Sequence, residues 1–346
     1  MKAIVYTKYG PPDVLQFKEL EKPSPKDGEI LVKIHAASVN ALDRHALRSR
    51  PFLIRIISGN GLRKPKDPRL GADIAGRVEA VGTNVTQFQP GDEVFGVVAA
   101  GGFAEYACAA ENQLALKPAN LSFEAAAAVP VAALTALQGL RDTGQIQPGQ
   151  KVLIHGASGG VGTFAVQIAK AFGAEVTAVC STRNLDMLRS IGADQVIDYT
   201  QEDFTRKGQR YDLILAVNGY HPIFAYRRAL RPTGRYVLVG EGSNAHLFRA
   251  VLQAMLLGPV ISRTGRQKMG FMGIAKINQK DLVYVKELLE AGKVVPVIER
   301  CYPLRETAEA IRYLVEGHAR GKVVITVDQN HTSEQSPDQS QRGGNS

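Results

Sequence analysis

Short strand-like runs dominate the first third of the chain. Segments such as EILVKIHAASVN and GADIAGRVEAVGTNVTQFQPGDEVFG place β-branched residues between Gly, Pro, Asn and Asp. Many short strands joined by such turns are typical of a β-barrel or a sandwich. A basic, irregular stretch, residues 47–69, interrupts the pattern, and we expect an insertion there.

The pattern changes after residue 124. The alanine-rich segment FEAAAAVPVAALTALQGL predicts helix despite Pro130, and a regular alternation follows it. Strand-like KVLIH, EVTAVCS, QVIDY, YDLILAVN and RYVLVG are interleaved with helix-like GVGTFAVQIAKAFG and NLDMLRSIGA. Strands that alternate with helices predict a doubly wound parallel sheet, so the expected fold class is α/β.

The last part of the chain differs again. Residues 276–329 predict a helix, an extended segment, a second helix and a strand, whereas residues 330–346 are polar and predict a disordered tail. Just before this part, the segment AHLFRAVLQAMLLGPVISR is apolar enough for either plain core or an oligomer interface.

Composition narrows the class of protein. With 346 residues, 45% of them hydrophobic and 22% charged, the chain is long enough for two globular cores. Its three cysteines lie far apart without a CxxC pair, which excludes a disulfide framework and a four-cysteine zinc lobe. The sequence shows neither a secretory signal nor an apolar run of about 20 residues, so we expect a cytoplasmic protein without a membrane span.

The formal net charge is +9, and basic residues occur along the whole chain. A nucleic acid, an anionic membrane surface, a polyanionic cofactor or a solvated arginine-rich surface would each account for this charge. No zinc finger, aromatic RNA-binding motif or basic zipper accompanies it, so we expect no specific nucleic-acid partner.

The strongest local motif is KVLIHGASGGVGTFAVQIAK, in which an apolar strand enters a glycine-rich turn and then a periodic helix. Glycine permits a tight turn and a close approach of the backbone to a pyrophosphate, and the helix N-terminus offers N–H groups and a positive dipole end. This context predicts a dinucleotide site, although such a turn can also be purely structural. The expected cofactor-binding residues are Gly156, Ser158, Gly159, Gly160, Val161 and Gly162.

The end of the second strand of this region predicts the cofactor. NAD-preferring sites place Asp or Glu about 20 residues after the glycines. Here the strand ends in Ser181, Thr182 and Arg183, without a carboxylate. Hydroxyl donors and a guanidinium suit a 2′-phosphate, so we predict NADPH, the alternative being an ordinary surface arginine.

Several blocks together identify a family. EILVKIHAASVNALD, the segment of residues 71–96, ALTAL, HGASGGVGTFAVQIAKAFGAEV, IGADQVIDY and ARGKVVITV resemble the medium-chain dehydrogenase/reductase superfamily, and within it the zinc-free quinone oxidoreductase branch. The resemblance implies a GroES-like β-barrel catalytic domain and a doubly wound Rossmann nucleotide-binding domain, with the catalytic cleft between them. It places the catalytic domain at 1–124 and 276–329, and the NADPH-binding domain at 125–275.

The positions of the zinc ligands depart from the zinc-dependent relatives. Asn40 stands at the first ligand position, and Gly71-Ala72-Asp73 stands where the resemblance would place Gly-His-Glu. A catalytic zinc needs about three protein ligands, which this set does not supply. We therefore expect no metal.

The resemblance implies the remaining site residues. Asn40 aligns with an active-site Asn that could hydrogen-bond the substrate oxygen, and Asp43 with the Asp of the same motif, which could instead cap a turn. His45 stands where quinone reductases often carry Tyr, and it is either a proton donor or a structural histidine.

Four further residues match positions near the cofactor. Thr135 would lie against the nicotinamide or pack a helix, and Tyr199 would lie near the adenosine 2′-phosphate or only end a strand. Gly240 would approach the nicotinamide ribose, and Lys322 would lie near the cofactor or be solvated.

These residues predict an NADPH-dependent oxidoreductase that transfers a hydride to a quinone or an α,β-unsaturated carbonyl without zinc. Another zinc-free carbonyl reductase or alcohol dehydrogenase of the superfamily, or a non-catalytic NADPH-binding protein, is the alternative. The expected partner is a small conjugated carbonyl or quinone, and the resemblance implies a homodimer.

Overall fold

Two large sheets and a small two-stranded one, β1-β2, form the computed structural model. The structure describes residues 1–48, 64–217, 219, 221–240, 245–317 and 319–327, with the backbone alone at residues 48 and 245–249. The predicted tail, and residues 49–63 of the predicted insertion, lie outside this range. The strands are β1 (Lys2–Val5), β2 (Gln16–Glu19), β3 (Glu29–Ser38), β4 (Asp73–Val81), β5 (Glu93–Val97), β6 (Tyr106–Ala110), β7 (Leu114–Leu116), β8 (Lys151–His155), β9 (Glu175–Cys180), β10 (Gln195–Asp198), β11 (Tyr211–Ala216), β12 (Leu230–Leu238), β13 (Lys268–Phe271), β14 (Ile298–Pro303) and β15 (Lys322–Thr326).

The helices connect and cover these strands. They are α1 (Ala41–Arg48), α2 (Phe123–Ala127), α3 (Pro130–Gln138), α4 (Gly160–Ala171), α5 (Leu185–Ser190), α6 (Ile223–Ala229), α7 (Ala245–Thr264), α8 (Gln279–Glu290) and α9 (Thr307–Val315). Within the described residues, no helix is both long and apolar enough to cross a membrane.

The parallel sheet has the spatial order β10-β9-β8-β11-β12-β13. This is the order of a doubly wound dinucleotide-binding sheet, in which ligands bind beyond the carboxyl ends of the strands where the order reverses. The reversal lies between β8 and β11, directly above the glycine-rich turn. Strands β8 to β12 agree with the sequence prediction, whereas β13 has no counterpart in it.

The other large sheet contains both parallel and antiparallel pairs and is called the mixed sheet below. It joins strands from the N-terminal and C-terminal parts of the chain. Its order is β14-β15-β3-β4-β5-β7, with β6 also paired to β3. β15 runs antiparallel to β3 with Val324 opposite Ser38, and this register brings the start of β15 next to the residues that follow β3. The first residue of β15, Lys322, therefore lies next to Val39 and Asn40, which follow β3.

The alanine-rich segment forms two helices rather than one. Pro130 is the first residue of α3, a position where its missing N–H costs nothing, and it separates α3 from α2. α2 packs on the strands of the mixed sheet, and α3 packs against α4. All their alanines except Ala125 are buried in a core shared by both sheets, so the two halves of the molecule are packed together.

Candidate functional site

The glycine-rich turn connects β8 to α4 at the carboxyl edge of the parallel sheet. Gly156 has a φ of +80°, and this left-handed conformation, which favours glycine, reverses the chain directly after His155. Gly159 then caps α4 in an extended conformation. The N–H groups of the first turn of α4, at Gly160, Val161 and Gly162, have no partner within the helix, which makes this terminus suited to phosphate.

The glycines of the turn are required for different reasons. A Cβ at Gly162 would lie 2.2 Å from the carbonyl oxygen of Gly156 and 2.6 Å from the carbonyl carbon of Ala157, so α4 can pack on the turn only without a side chain there. A Cβ at Gly159 would meet nothing closer than the Gly156 oxygen at 3.7 Å. The sequence interpretation gave both glycines one role, and the geometry assigns Gly162 to internal packing.

A pocket of about 420 Å³ opens beside this turn. Such a volume lies within the usual range for small-molecule sites. It brings together five predicted cofactor-binding residues from three separate segments, and the sequence interpretation missed the other three lining residues. Among the described residues, no carboxylate lines it. The lining residues are Ser158, Ser181, Thr182, Arg183, Asn184, Tyr199, Gly317 and Ala319.

One buried carboxylate, that of Asp198, lies next to the pocket without lining it. The hydroxyl of Thr182 donates to its Oδ2 at 2.5 Å, and the N–H and hydroxyl of Thr200 donate to its Oδ1 at 2.9 and 2.7 Å. These hydrogen bonds, that of Thr182 above all, hold the pKa of Asp198 below its usual range. The hydroxyl of Thr182 therefore donates to Asp198 and not to the pocket, a role that the sequence did not predict.

Residues 319–322 connect the pocket to the mixed sheet. Ala319 lines the pocket, and the N–H of Gly321 donates to the carbonyl of Ser158 at 2.8 Å. Gly321 has a φ of +73°, and a Cβ there would lie 2.2 Å from the oxygen of Val297. The next residue, Lys322, enters β15 and extends toward Asn40 and Asp73.

The ammonium group of Lys322 lies at the centre of a buried polar cluster. Its Nζ donates to Oδ1 of Asn40 at 2.6 Å, and to Oδ2 of Asp73 and the carbonyl of Val39 at 3.3 Å each. Lys322 is 3% exposed and Asp73 is fully buried. The solvated alternative for Lys322 is therefore wrong, because its charge is neutralised inside the protein by Asp73.

Hydrogen-bond donors from several elements surround the carboxylate of Asp73. Besides Lys322, its Oδ2 accepts from the Ser38 hydroxyl and from Nδ2 of Asn40, both at 2.9 Å. Its Oδ1 accepts from the backbone N–H of Val131, at the start of α3, at 2.9 Å. This carboxylate therefore ties β3, β15 and α3 together.

Ser38 and Asp73 were not among the predicted site residues, although a signal for Asp73 is present in the sequence. Asp73 precedes the apolar run Ile74-Ala75, and an ionised carboxylate buried in such a strand requires a charged partner. Lys322 likewise begins an apolar strand. The pair could have been proposed on this ground, but only the fold brings the two together.

Asn40 and Asp43 form the N-terminal cap of α1. The backbone N–H of Asn40 donates to Oδ2 of Asp43 at 2.7 Å, and the N–H of Asp43 donates to the carbonyl of Asn40. This is the back-bonded half of a capping box. Burial raises the pKa of Asp43 to about 7. The capping role considered for Asp43 is the one present, and it fixes the backbone of Asn40.

The structure also locates the other predicted site residues. Thr135 is half-buried on α3 and donates its hydroxyl to the carbonyl of Val131, whose N–H contacts Asp73. Gly240 follows β12 with a φ of +97°. His45 is half-buried on α1. Five residues are about 1.4 helical turns, so its side chain leaves α1 in a different direction from that of Asn40.

His155, which ends β8 below the turn, was not predicted as a site residue. Its Nδ1 lies 2.8 Å from the hydroxyl of Tyr226, and the two rings pack with Phe204 and His221. Burial lowers the pKa of His155 to about 3. The imidazole is therefore neutral at physiological pH and adds no positive charge beneath the turn.

Comparison with known proteins agrees with this architecture. The family described as alcohol dehydrogenase GroES-like domain matches residues 26–119, and the family described as zinc-binding dehydrogenase matches residues 191–325. The 2-methylene-furan-3-one reductase of Solanum lycopersicum is 36% identical over 94% of this chain and 79% of its own. The mitochondrial NAD(P)H oxidoreductase of Mus musculus is 35% identical over 94% and 89%. The chain belongs to the medium-chain dehydrogenase/reductase superfamily.

A solved structure places it further within that superfamily. The quinone oxidoreductase from Coxiella burnetii superposes with a TM-score of 0.83, at 32% identity, over 95% of this chain and 99% of that one. The predicted fold, a GroES-like domain with a Rossmann-type parallel sheet, is confirmed, and so is the quinone oxidoreductase branch. The protein is an oxidoreductase of the medium-chain type that uses a nicotinamide cofactor.

The matching family's zinc-binding name does not carry over to a ligand set in this medium-chain protein. Within the described ranges, no three His, Cys, Asp or Glu side chains lie together as a metal site would require. Asp73, at a predicted ligand position, is instead held by Lys322, Asn40, Ser38 and Val131. Its carboxylate is committed to protein donors.

Proposed function

We propose that this protein is an NADPH-dependent reductase of quinones or α,β-unsaturated carbonyls that works without zinc. The observation that carries the proposal is the link between a pocket at the phosphate turn, whose described lining residues include no carboxylate, and the buried Lys322–Asp73–Asn40 cluster. The names of the relatives, a quinone oxidoreductase and a 2-methylene-furan-3-one reductase, support the acceptor class.

The residues of the pocket fit NADPH. The N–H groups at the start of α4 and Ser158 would hold the pyrophosphate, and Ser181, Arg183 and Tyr199 would surround the 2′-phosphate. None of the described lining residues carries a carboxylate that would repel that phosphate, and nearby Asp198 accepts hydrogen bonds from Thr182 and Thr200. When bound, NADPH supplies a hydride.

The protein's own residues shape the reaction site. Lys322 holds Asn40 by its amide oxygen, and Asp73 holds it by its amide nitrogen, so the orientation of this side chain is fixed. Conjugated acceptors are already electron-poor and need less polarisation than a simple alcohol, whose oxidation benefits from a metal. For such an acceptor, a polar side chain held in a fixed orientation, here that of Asn40, is sufficient to position the substrate beside the cofactor.

The direct test is an assay of cofactor oxidation with a panel of quinones, enones and aldehydes. We expect turnover with NADPH and a conjugated acceptor, and much weaker turnover with simple aldehydes. A preference for simple carbonyls would show that the proposed acceptor class is wrong. Binding of NADPH without turnover of any acceptor would indicate a non-catalytic protein.

Arg183→Ala should raise the KM for NADPH about 10- to 150-fold and leave that for NADH nearly unchanged. A charge-assisted hydrogen bond to phosphate contributes about 1.5–3 kcal/mol, and NADH has no phosphate there. The matched control is Arg189→Ala, since Arg189 is also exposed and pairs with Asp186 outside the pocket. Steady-state kinetics with both cofactors measure the effect, and an equal loss with each would contradict the assignment.

Asn40→Ala should raise the barrier to turnover by about 2–4 kcal/mol, the usual effect of one lost oxyanion donor. Nδ2 of Asn40 donates to Asp73 at 2.9 Å and to the carbonyl of Ser38 at 3.4 Å, so this role requires the longer bond to be exchanged for one to the substrate oxygen. The dissociation constant for NADPH should change little, since Asn40 lies outside the cofactor pocket. His45→Gln is the companion variant, which should remove a pH dependence of kcat if His45 delivers the proton. Wild-type turnover and pH profile in both variants would refute these two roles.

Elemental analysis of protein purified without added metal should find no stoichiometric zinc. The reason is that Asp73 is saturated with protein donors and carries its own cation in Lys322. Activity should resist a chelator. About one zinc per chain, together with loss of activity on chelation, would show the zinc-free part of the proposal to be wrong.

A further inference from the structure

One buried acceptor in the pocket beside the glycine-rich turn lacks a donor in the described part of the chain. Asn184 lines this pocket and is 3% exposed. Its Nδ2 donates to the hydroxyl oxygen of Ser181 at 3.2 Å, whereas no donor among the described residues reaches its Oδ1. A buried amide oxygen without a hydrogen bond is costly, so this oxygen indicates a ligand that brings a donor of its own.

Thr182 supplies a second acceptor to the same pocket. Its hydroxyl donates to Oδ2 of Asp198 at 2.5 Å. The hydroxyl of Thr200, whose oxygen lies 3.1 Å from that of Thr182, donates to Oδ1 of the same carboxylate at 2.7 Å. Each hydroxyl has a single proton, and Asp198 accepts both of them. Toward the pocket, Thr182 therefore offers only the lone pairs of its oxygen.

These acceptors alternate with donors along one short segment. Because the Ser181 oxygen accepts from Asn184, the proton of Ser181 remains for a ligand. The guanidinium of Arg183 only donates, so residues 181–184 present a donor, an acceptor, a donor and an acceptor in chain order. A 2′-phosphate is largely ionised at neutral pH, so it suits the two donors and has no proton for Thr182.

A vicinal diol is the group that suits the two acceptors. Each hydroxyl of a ribose can donate one hydrogen bond, and the adenosine ribose of NADH carries a hydroxyl where that of NADPH carries the phosphate. Sites that prefer NAD bind this hydroxyl with an Asp or Glu carboxylate. Here Asp198 lies one side chain behind the pocket, and it makes Thr182 an acceptor, as such a carboxylate would be.

On the basis of the proposed function, which places the adenosine ribose in this pocket, we propose that the pocket also binds NADH through its ribose hydroxyls. Thr182 accepts from the 2′-hydroxyl, since it is adjacent to Arg183, which would bind the phosphate that replaces this hydroxyl in NADPH. Asn184 accepts from the 3′-hydroxyl, which both cofactors carry. Asp198 is then a positioning residue for cofactor specificity, because it sets the direction of the Thr182 proton.

Calorimetric titration of the full chain with NADH and with NADPH tests the proposal without turnover. NADH should bind about 10- to 150-fold more weakly than NADPH, the factor that one charge-assisted contact to phosphate supplies. Thr182→Val should raise the dissociation constant for NADH about 2- to 12-fold, the factor for one neutral hydrogen bond, and change that for NADPH less than about twofold. Asn184→Leu should weaken the binding of both cofactors.

Asp198→Asn is the sharper variant, because it reverses the direction of the Thr182 hydroxyl. The backbone N–H of Thr200 needs an acceptor, so the amide oxygen should replace Oδ1 and the amide nitrogen should replace Oδ2. This nitrogen would donate to Thr182, whose own proton would then point to the pocket. Affinity for NADH should fall about as in Thr182→Val. Affinity for NADPH should rise, since its phosphate gains a donor and loses a neighbouring negative charge.

A matched control lies a few residues further along the chain. Asp203 accepts from the N–H and the hydroxyl of Thr205 at 2.9 and 2.7 Å, the same pair of bonds that Asp198 accepts from Thr200. Neither Asp203 nor Thr205 is among the lining residues of the pocket. Asp203→Asn and Thr205→Val should therefore bind both cofactors like the wild type. Thermal unfolding of every variant establishes that it is folded.

Failure of this inference and failure of the proposed function give different results. If neither cofactor binds, the cofactor site of the proposed function is wrong. If NADPH binds and NADH does not, the pocket does not accept the ribose diol, and the NADPH assignment stands. The role of Thr182 would be refuted if the Thr182 and Asp198 variants bound NADH as tightly as the two controls. It would also be refuted if Thr182→Val weakened both cofactors equally, since NADPH has no 2′-hydroxyl.

Discussion

Replacing Lys322 with methionine should lower the free energy of unfolding by about 3–5 kcal/mol, the usual cost of removing one partner from a buried ion pair. Methionine keeps most of the apolar stem, which packs beside Gly160, and removes only the ammonium. Asp73 would then remain fully buried with a negative charge opposed only by neutral donors. Urea unfolding followed by circular dichroism measures the loss.

The double-mutant cycle with Asp73→Asn separates charge pairing from packing. Each single change leaves an uncompensated buried charge, whereas Asp73→Asn with Lys322→Met removes both. The double variant should therefore cost at least about 2 kcal/mol less than the sum of the singles. Additive losses would show that the two charges do not stabilise one another. The kcat of the double variant should stay low, since Asn40 loses the donor to its amide oxygen.

The sequence predicted the parts of this site that depend on neighbouring residues. The strand KVLIH, the turn and α4 follow one another without interruption, so apolar periodicity and glycine spacing are sufficient to predict them. The ribose-binding residues Ser181 to Arg183 also lie at a fixed distance along one βαβ unit. The parallel sheet alone brings together the lining residues from Ser158 to Tyr199, whereas Gly317 and Ala319 reach the pocket from the segment before β15, which the motif does not predict.

The buried cluster could not be predicted in the same way. Asp73 and Lys322 are far apart in the chain and meet only because β15 pairs with β3 in the register that sets Val324 opposite Ser38. A shift of that register by one residue would place the Lys322 side chain on the other face of the strand. The sequence therefore left Lys322 undecided between buried and solvated, and strand pairing decided it.

The charge of the chain shows a similar limit. Read by position, the basic residues appear dispersed, and a net charge of +9 fits several partners. The acidic residues are less evenly spread, however, because the segment between Asp212 and Asp281, which includes α7, contains ten Lys or Arg residues and a single Glu. The apolar segment that the sequence left as core or interface is core on one side and exposed on the other, since Ala254 is buried and Leu256 lies on the opposite side of the same helix.

The two glycines of the turn should fail in different ways. Gly159→Val should leave the unfolding midpoint nearly unchanged, since a Cβ there has no neighbour within 3.7 Å and the residue has an ordinary φ of −82°. Its affinity for NADPH should fall at least about 100-fold, because the branched side chain occupies the space through which the pyrophosphate approaches the backbone. Thermal unfolding and a fluorescence titration measure the two quantities.

Gly162→Val should instead destabilise the protein before any cofactor is added. Its Cβ would lie 2.2 Å from the oxygen of Gly156 and 2.6 Å from the carbonyl of Ala157, and both are backbone atoms that cannot rotate away. Overpacking of this kind typically costs about 1–3 kcal/mol, and more where the backbone must shift. We therefore expect a lowered unfolding midpoint for Gly162→Val and a normal one for Gly159→Val. If Gly159→Val bound NADPH like the wild type, the pyrophosphate would not approach at this turn, and the cofactor site would have to be sought elsewhere in the cleft.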